Sequence, residues 1–165
     1  MSKEIIKHFP FLHDMEYKEF DFQPAKHNSL AAALVVANLP YKAGVYFVFN
    51  CSNFQINNLL YVGIAGADKN GVLNTHQIPK RLLAVTYPPQ KYSKIMPSLH
   101  TTRNEAWPLM MKMDKISIIK ICCFFSPIND DYKVHKSKIP LKLEKSINKI
   151  LKEKKIKQPW SKKHA

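Results

Sequence analysis

The sequence predicts a small α/β (α+β) domain, with a mainly antiparallel central sheet of three strands flanked by helices. Three observations carry this. Two runs rich in β-branched and aromatic residues, GVYFVF from residue 44 and LLYVGIA from residue 59, flank a polar loop and read as a hairpin. A third such run, KISIIKICCFF, begins at residue 115. Helical segments lie between and after these runs, the last being LKLEKSINKILKEKK from residue 141.

At 165 residues the chain reads as one domain with room for a core. An N-terminal extension with a helix is expected over 1–40, the core over 43–160 and a basic tail over 161–165. Up to about residue 27 the chain is aromatic and charged with little period, so a short helix or strand plus extended chain is expected there. In NSLAAALVVANLP, Asn28 or Ser29 can cap, alanine and leucine propagate, and Pro40 stops, which predicts a helix at about 29–38. NCSNFQINN, at 50–58, is a polar loop, and GADKNGVLNTHQ, at 66–77, is punctuated by glycine and asparagine. IPKRLLAVTY reads as a short helix ended by Pro88-Pro89, and 98–113 holds a further helix in which Pro108 stands near the start or at a kink. No internal repeat is visible.

Composition narrows the partners. The 45% apolar content and the aromatics exclude wholesale disorder. No apolar run approaches the ~18 residues of a membrane span. The opening MSKEIIKHFPFLHD lacks the long apolar stretch of a signal peptide, so a cytoplasmic location is expected. Of the three cysteines, Cys122 and Cys123 are adjacent and Cys51 stands apart, which makes no disulfide framework or zinc spacing; the adjacent pair reads as core thiols. The net charge is +14, and from Tyr132 to Ala165 twelve lysines face two acids. Such a balance predicts a polyanionic partner, nucleic acid above all, against the plainer reading of a lysine-rich solvated surface.

The chain's four glycines, Gly44, Gly63, Gly66 and Gly71, all fall within one window. Glycine serves where backbone bends sharply or another group approaches closely, so this window is where backbone is expected to meet something. Each strand of the hairpin also carries a tyrosine near a glycine. Side chains alternate along a strand, so Tyr46 and Tyr61 can share one face if the register pairs them.

Gly44-Val45-Tyr46 and Tyr61-Val62-Gly63 resemble the paired motif of the GIY-YIG nuclease superfamily. Arg81 in PKRLL and Glu144 in LKLEKSI fall on helices in the order that family has them: strand, strand, arginine helix, strand, glutamate helix. The ending KQPWSKKHA resembles the Pro-Trp ending of some phage-type and restriction-type members. The resemblance covers residues 43–160. It implies a single-domain, divalent-metal-dependent DNA endonuclease, of the kind found among type II restriction enzymes, with Mg²⁺ or Mn²⁺ as cofactor. Double-stranded DNA would be the partner, and a homodimer would give each strand its own active site.

The chemistry asks for such residues. Phosphodiester hydrolysis needs an activated water, positive charge on the phosphoryl oxygens and help for the leaving oxygen. Glu144 would be the metal ligand, since Mg²⁺ is often held by one or two carboxylates while keeping waters. Arg81 would bind the scissile phosphate as a planar cation. Tyr61 is the candidate general base, and Tyr46 would sit beside it, orienting water or phosphate. A free tyrosine titrates near ~10, so the base needs cations nearby; Lys69, Lys80 and His76 are the candidates from sequence. At ~100° per residue, Glu144 falls about 20° from Leu151, at the edge of the apolar arc of the last helix. Asn148, one turn beyond Glu144, is the candidate for the asparagine that follows the glutamate helix in that family.

Plainer readings stand beside each assignment: strand aromatics for Tyr46 and Tyr61, a solvated arginine at 81, and a surface glutamate paired with Lys145 or Asn148. Trp107 and Trp160 read as packing residues, with base stacking as the alternative. As a whole, the chain could instead be an inactive nucleic-acid-binding module of the same fold, or a toxin-like, RNA-directed nuclease.

Overall fold

The computed structural model describes residues 1–50 and 54–165. In chain order the elements are α1 (Ser2–His8), β1 (Glu16–Phe22), α2 (Leu30–Ala37), β2 (Gly44–Asn50), β3 (Leu59–Ala65), α3 (Ile78–Leu82), α4 (Arg103–Met113), β4 (Ile119–Phe125) and α5 (Pro140–Glu153). The chain is α+β. The four strands form one open antiparallel sheet in the order β1-β4-β2-β3. Of the loop expected at 50–58, residues 56–58 form a 3₁₀ turn, and Cys51 lies outside the described residues.

The three strands expected from sequence are therefore four. The added one, β1, is an edge strand with few core positions, which hides its period. Tyr17 packs on Phe124 at 4.9 Å between ring centres, but further along that face Glu19 and Asp21 hold Lys120 of β4, at 3.4 and 2.8 Å. On the other face only Phe20 and Phe22 turn to the core, behind exposed Lys18. Charged side chains on an edge strand also discourage pairing with a second sheet.

Both faces of the sheet are covered. Tyr46, Val48, Ile121 and Cys123 pack against Leu30 and Leu34 of α2, Ile78 and Leu82 of α3, and Ala106, Trp107 and Met110 of α4. Val45, Phe47, Val62, Cys122 and Phe124 pack against Ile5 of α1, Phe9, Leu12, and Leu143, Ile147 and Leu151 of α5. Each of those α5 side chains contributes about 1.5–3 kcal/mol relative to exposure, which fixes the rotation of the helix that carries Glu144. The two adjacent cysteines are core thiols, as expected; burial pushes Cys122 up to about 12, leaving it inert. Ser29 caps α2 by accepting from the Ala32 amide at 3.0 Å, and Asn38 ends it in the left-handed region at φ 47°. Among the described residues no helix is long and apolar enough to cross a membrane.

Two of the glycines answer to the protein itself rather than to a ligand. Tyr46 pairs with Gly63, and its ring lies across that position. A Cβ on Gly63 would stand 2.2 Å from Tyr46 Cζ and 2.3 Å from its Oη. A Cβ on Gly44 would stand 2.0 Å from the Phe124 carbonyl oxygen, where β2 meets β4. Gly63→Ala should therefore cost about 1–3 kcal/mol by overpacking, read as a lower denaturant midpoint. A variant as stable as the wild type would show that the Tyr46 ring is free to move aside.

Edge strand β3 is not left bare. The Trp160 amide donates to the Leu60 carbonyl at 2.9 Å, and Gln158 Oε1 accepts from the Val62 amide at 3.0 Å. The other end of the Gln158 amide donates to Asn148 Oδ1 of α5 at 2.7 Å. The segment after α5 thus binds β3 to the helix on the opposite face of the sheet.

Candidate active site

Residue Tyr46 directly opposes Gly63, and Tyr61 is two residues before that glycine on β3, so both phenols lie on one face of the hairpin. Their ring centres are 6.1 Å apart and tilted by 42°. The expected pairing of the tyrosines is present, but their environments differ. Tyr61 is half-buried and lines a cleft of about 680 Å³. Tyr46 is fully buried behind it, and its hydroxyl has no hydrogen-bonding partner. Tyr46 is not among the residues that line the cleft. Burial pushes its phenol well above the ordinary value, opposed by the Arg103 and Arg81 guanidiniums.

The cleft gathers Tyr61 from β3, Arg81 from α3 and Glu144 from α5. Residues 161–164 of the tail and Val85, Thr86 and Tyr87 also line it. Glu144 reaches the cleft because α5 packs by Leu143, Ile147 and Leu151, which turns position 144 past the edge of β3. The carboxyl is half-buried. Desolvation raises its pKa from the ordinary glutamate value, and Lys163 and Arg81 partly counter this. Such a carboxylate gains from any added positive charge.

The three assistants named from sequence separate. His76, exposed, lines the cleft. Lys80 does not: one residue before Arg81 on a helix means about 100° of rotation, and it lines a separate depression with Leu34, Val35 and Tyr41. Lys69 stands exposed in a turn that Asp68 pins by accepting from the Asn70 and Val72 amides at 2.7 and 3.0 Å; it is not among the cleft residues. Asn148 accepts from Gln158 and is not among the cleft residues; it lines a neighbouring groove along α5. Trp107 and Trp160 are buried with ring centres 5.8 Å apart, and Trp160 also lines the cleft. Trp160 Nε1 donates to Asp114 Oδ2 at 3.0 Å, an oxygen that also accepts from the Tyr92 hydroxyl at 2.5 Å.

Sequence reasoning missed Arg103. It lines the cleft, yet is only 3% exposed. Its Nη1 donates to the carbonyls of Arg81, Ala84 and Val85 at 2.9, 3.2 and 3.2 Å, and its guanidinium carbon is 5.9 Å from the centre of the Tyr61 ring. Burial works against its charge, but the Tyr46 and Tyr61 hydroxyls outweigh that and its pKa is raised, so it is a permanent cation. A signal for it does exist in the sequence. Thr102 and Glu105 form a capping box that makes Arg103 the first residue of α4. A cation there opposes the helix dipole, which asks for a compensating reason.

A second groove continues from the first. Glu144, Lys163 and His164 line both, and the second runs along α5 past Lys145, Lys149, Lys152 and Lys155. Among the described residues no three His, Cys, Asp or Glu side chains gather around one point. A lone carboxylate in a wet cleft fits a hard cation that keeps most of its waters, and does not fit zinc. No protein-family model matches this chain, and neither a curated protein nor a solved structure does.

Proposed function

We propose that the chain is a divalent-metal-dependent DNA endonuclease of the GIY-YIG kind. One observation supports this reading above the others. Tyr61, Arg81 and Glu144, from three elements far apart in sequence, line one cleft that opens into a groove of lysines.

In this reading the lysines of α5 and the tail hold the phosphate backbone across the cleft. Arg81 donates to the non-bridging oxygens of the scissile phosphate and stabilises the charge that builds there. Tyr61 Oη, as phenolate, takes a proton from the attacking water. The water's oxygen forms a bond to phosphorus, the bond to the leaving oxygen breaks, and that oxygen takes a proton from solvent. Glu144 would hold Mg²⁺ or Mn²⁺, which when bound supplies further positive charge to the phosphate and the leaving oxygen.

The deciding experiment incubates supercoiled plasmid and, in parallel, structured RNA with the protein and Mg²⁺. The expected products are nicked and then linear DNA with defined ends. Salt-sensitive binding without cleavage in any divalent ion would instead make this a binding module, and cleavage confined to RNA would move the substrate. If the lysine groove carries the backbone, the slope of log affinity against log salt should lose about 0.9 for each phosphate contact removed, so Lys149→Ala, Lys152→Ala and Lys155→Ala together should flatten it by about 2.7. An unchanged slope would place the backbone elsewhere.

A further inference from the structure

Arg103 is the cation nearest in kind to what a tyrosine base requires. Two buried polar atoms in this region have no partner, Tyr46 Oη and Arg103 Nε. Both belong to the small assembly of two phenols and one guanidinium at the back of the cleft. Three carbonyls at the end of the Arg81 helix hold Nη1, so the side chain is fixed. A fixed, desolvated charge acts on its neighbours far more strongly than a mobile surface lysine does. The lysine nearest Arg81 in sequence, Lys80, faces another depression.

We propose that Arg103 is a positioning residue for the reaction: from behind the cleft its fixed guanidinium, 5.9 Å from the centre of the Tyr61 ring, holds Tyr61 in place to accept the proton of the attacking water. This rests on the endonuclease reading for its purpose but not for its test. The other charged or titratable groups around Tyr61 are Tyr46 from β2 and, lining the same cleft, Arg81 from α3, Tyr87 after it, Glu144 from α5, His76 from the loop before α3, and Lys162, Lys163 and His164 from the tail. Of these, Tyr46 shares the same buried guanidinium, and its hydroxyl competes with Tyr61 for that charge. Arg103 also joins the base to the phosphate-binding element, because the Arg81 carbonyl is one of its acceptors.

The test uses the full chain without DNA or metal. Phenolate absorbance near 295 nm is followed as pH rises in Tyr46→Phe and in Tyr46→Phe/Tyr61→Phe; with the competing phenol gone, their difference isolates the Tyr61 component. The same subtraction is made in Arg103→Gln, which keeps one donor for the carbonyls but no charge, and in Arg103→Lys, which keeps the charge. In Arg103→Gln the component should move at least one unit to higher pH, and in Arg103→Lys it should stay within about half a unit of the wild type. Plasmid cleavage by Arg103→Gln should then require correspondingly higher pH, losing about tenfold at neutral pH for each unit. A folded Arg103→Gln whose Tyr61 component has not moved would overturn the proposal and leave Arg103 a fold-stabilising residue. Should Arg103→Gln not fold, Arg103→Met decides: a Tyr61 component at least one unit higher upholds the proposal, and one that has not moved overturns it. A protein that cleaves nothing still gives this titration, so failure of the endonuclease reading remains separable.

Discussion

Glu144→Gln should lose divalent-dependent cleavage by at least about 10³-fold, while DNA binding measured in EDTA is kept or slightly tightened. A thousandfold is about 4 kcal/mol of barrier, within what a Lewis-acid cation contributes to phosphoryl transfer. The same variant makes a second, independent statement. Desolvation raises the pKa of Glu144 in the folded chain, and Lys163 and Arg81 only partly offset it. The folded state therefore binds a proton there more readily than the unfolded state does. Its stabilising effect is complete below the unfolded value of ~4.3 and is lost as pH rises through the higher folded value, so at neutral pH the ionised carboxylate works against folding. Glutamine removes that cost. Without divalent ions, Glu144→Gln should melt higher than the wild type at pH 7, by roughly 2–4 °C for each kcal/mol released, and the gain should close as pH falls towards ~4. Added Mg²⁺ should raise the melting temperature of the wild type but not of the variant. Retained cleavage in Glu144→Gln would remove this residue from the chemistry altogether.

Tyr61→Phe should lower the cleavage rate by about 10²–10⁴, the range of a positioned general base, with little change in stability because the residue is half-exposed in the cleft. Tyr46→Phe is the informative partner. It deletes a fully buried hydroxyl that makes no well-aligned hydrogen bond, a gain offset by its interaction with the buried Arg103 guanidinium, so it should stabilise the chain by at most about 1 kcal/mol. Its effect on rate should be the smaller of the two, since its hydroxyl does not reach the cleft. Two tyrosines on adjacent strands thus carry opposite expectations, one for activity and one for stability. Measuring both variants by urea unfolding and plasmid nicking separates them; a Tyr61→Phe protein cleaving at the wild-type rate would leave the cleft without its base.

Much of the fold could be read from local pattern. LLYVGIA is the strand Leu59–Ala65, and the alanine-leucine run is the helix Leu30–Ala37, because β-branched and helix-forming residues act over a few neighbours. The amphipathic period of the last helix also placed Glu144 at the margin of its apolar arc, and the cleft lies at that margin. β1 was obscured because an edge strand spends its charges on its neighbour, Lys120, rather than displaying an alternating core face. Arg103 was obscured for a different reason. Its burial is created by carbonyls around twenty residues earlier and by two tyrosines from another layer, and no local period encodes such a meeting. Lys80 shows the converse hazard, since adjacency to Arg81 in sequence turned it to another side of the helix.

The strap from Gln158 to Trp160 has a bearing on how the molecule fails. Its bonds to β3 join positions 96 or more residues apart, contacts whose loop-closure cost makes them among the slower to form. When they open, Leu60 and Val62 regain unsatisfied amide and carbonyl groups on an exposed strand, a template onto which a second chain can add. Loss of the strap, as in Gln158→Ala, should therefore show as clumping that begins at a lower temperature than in the wild type.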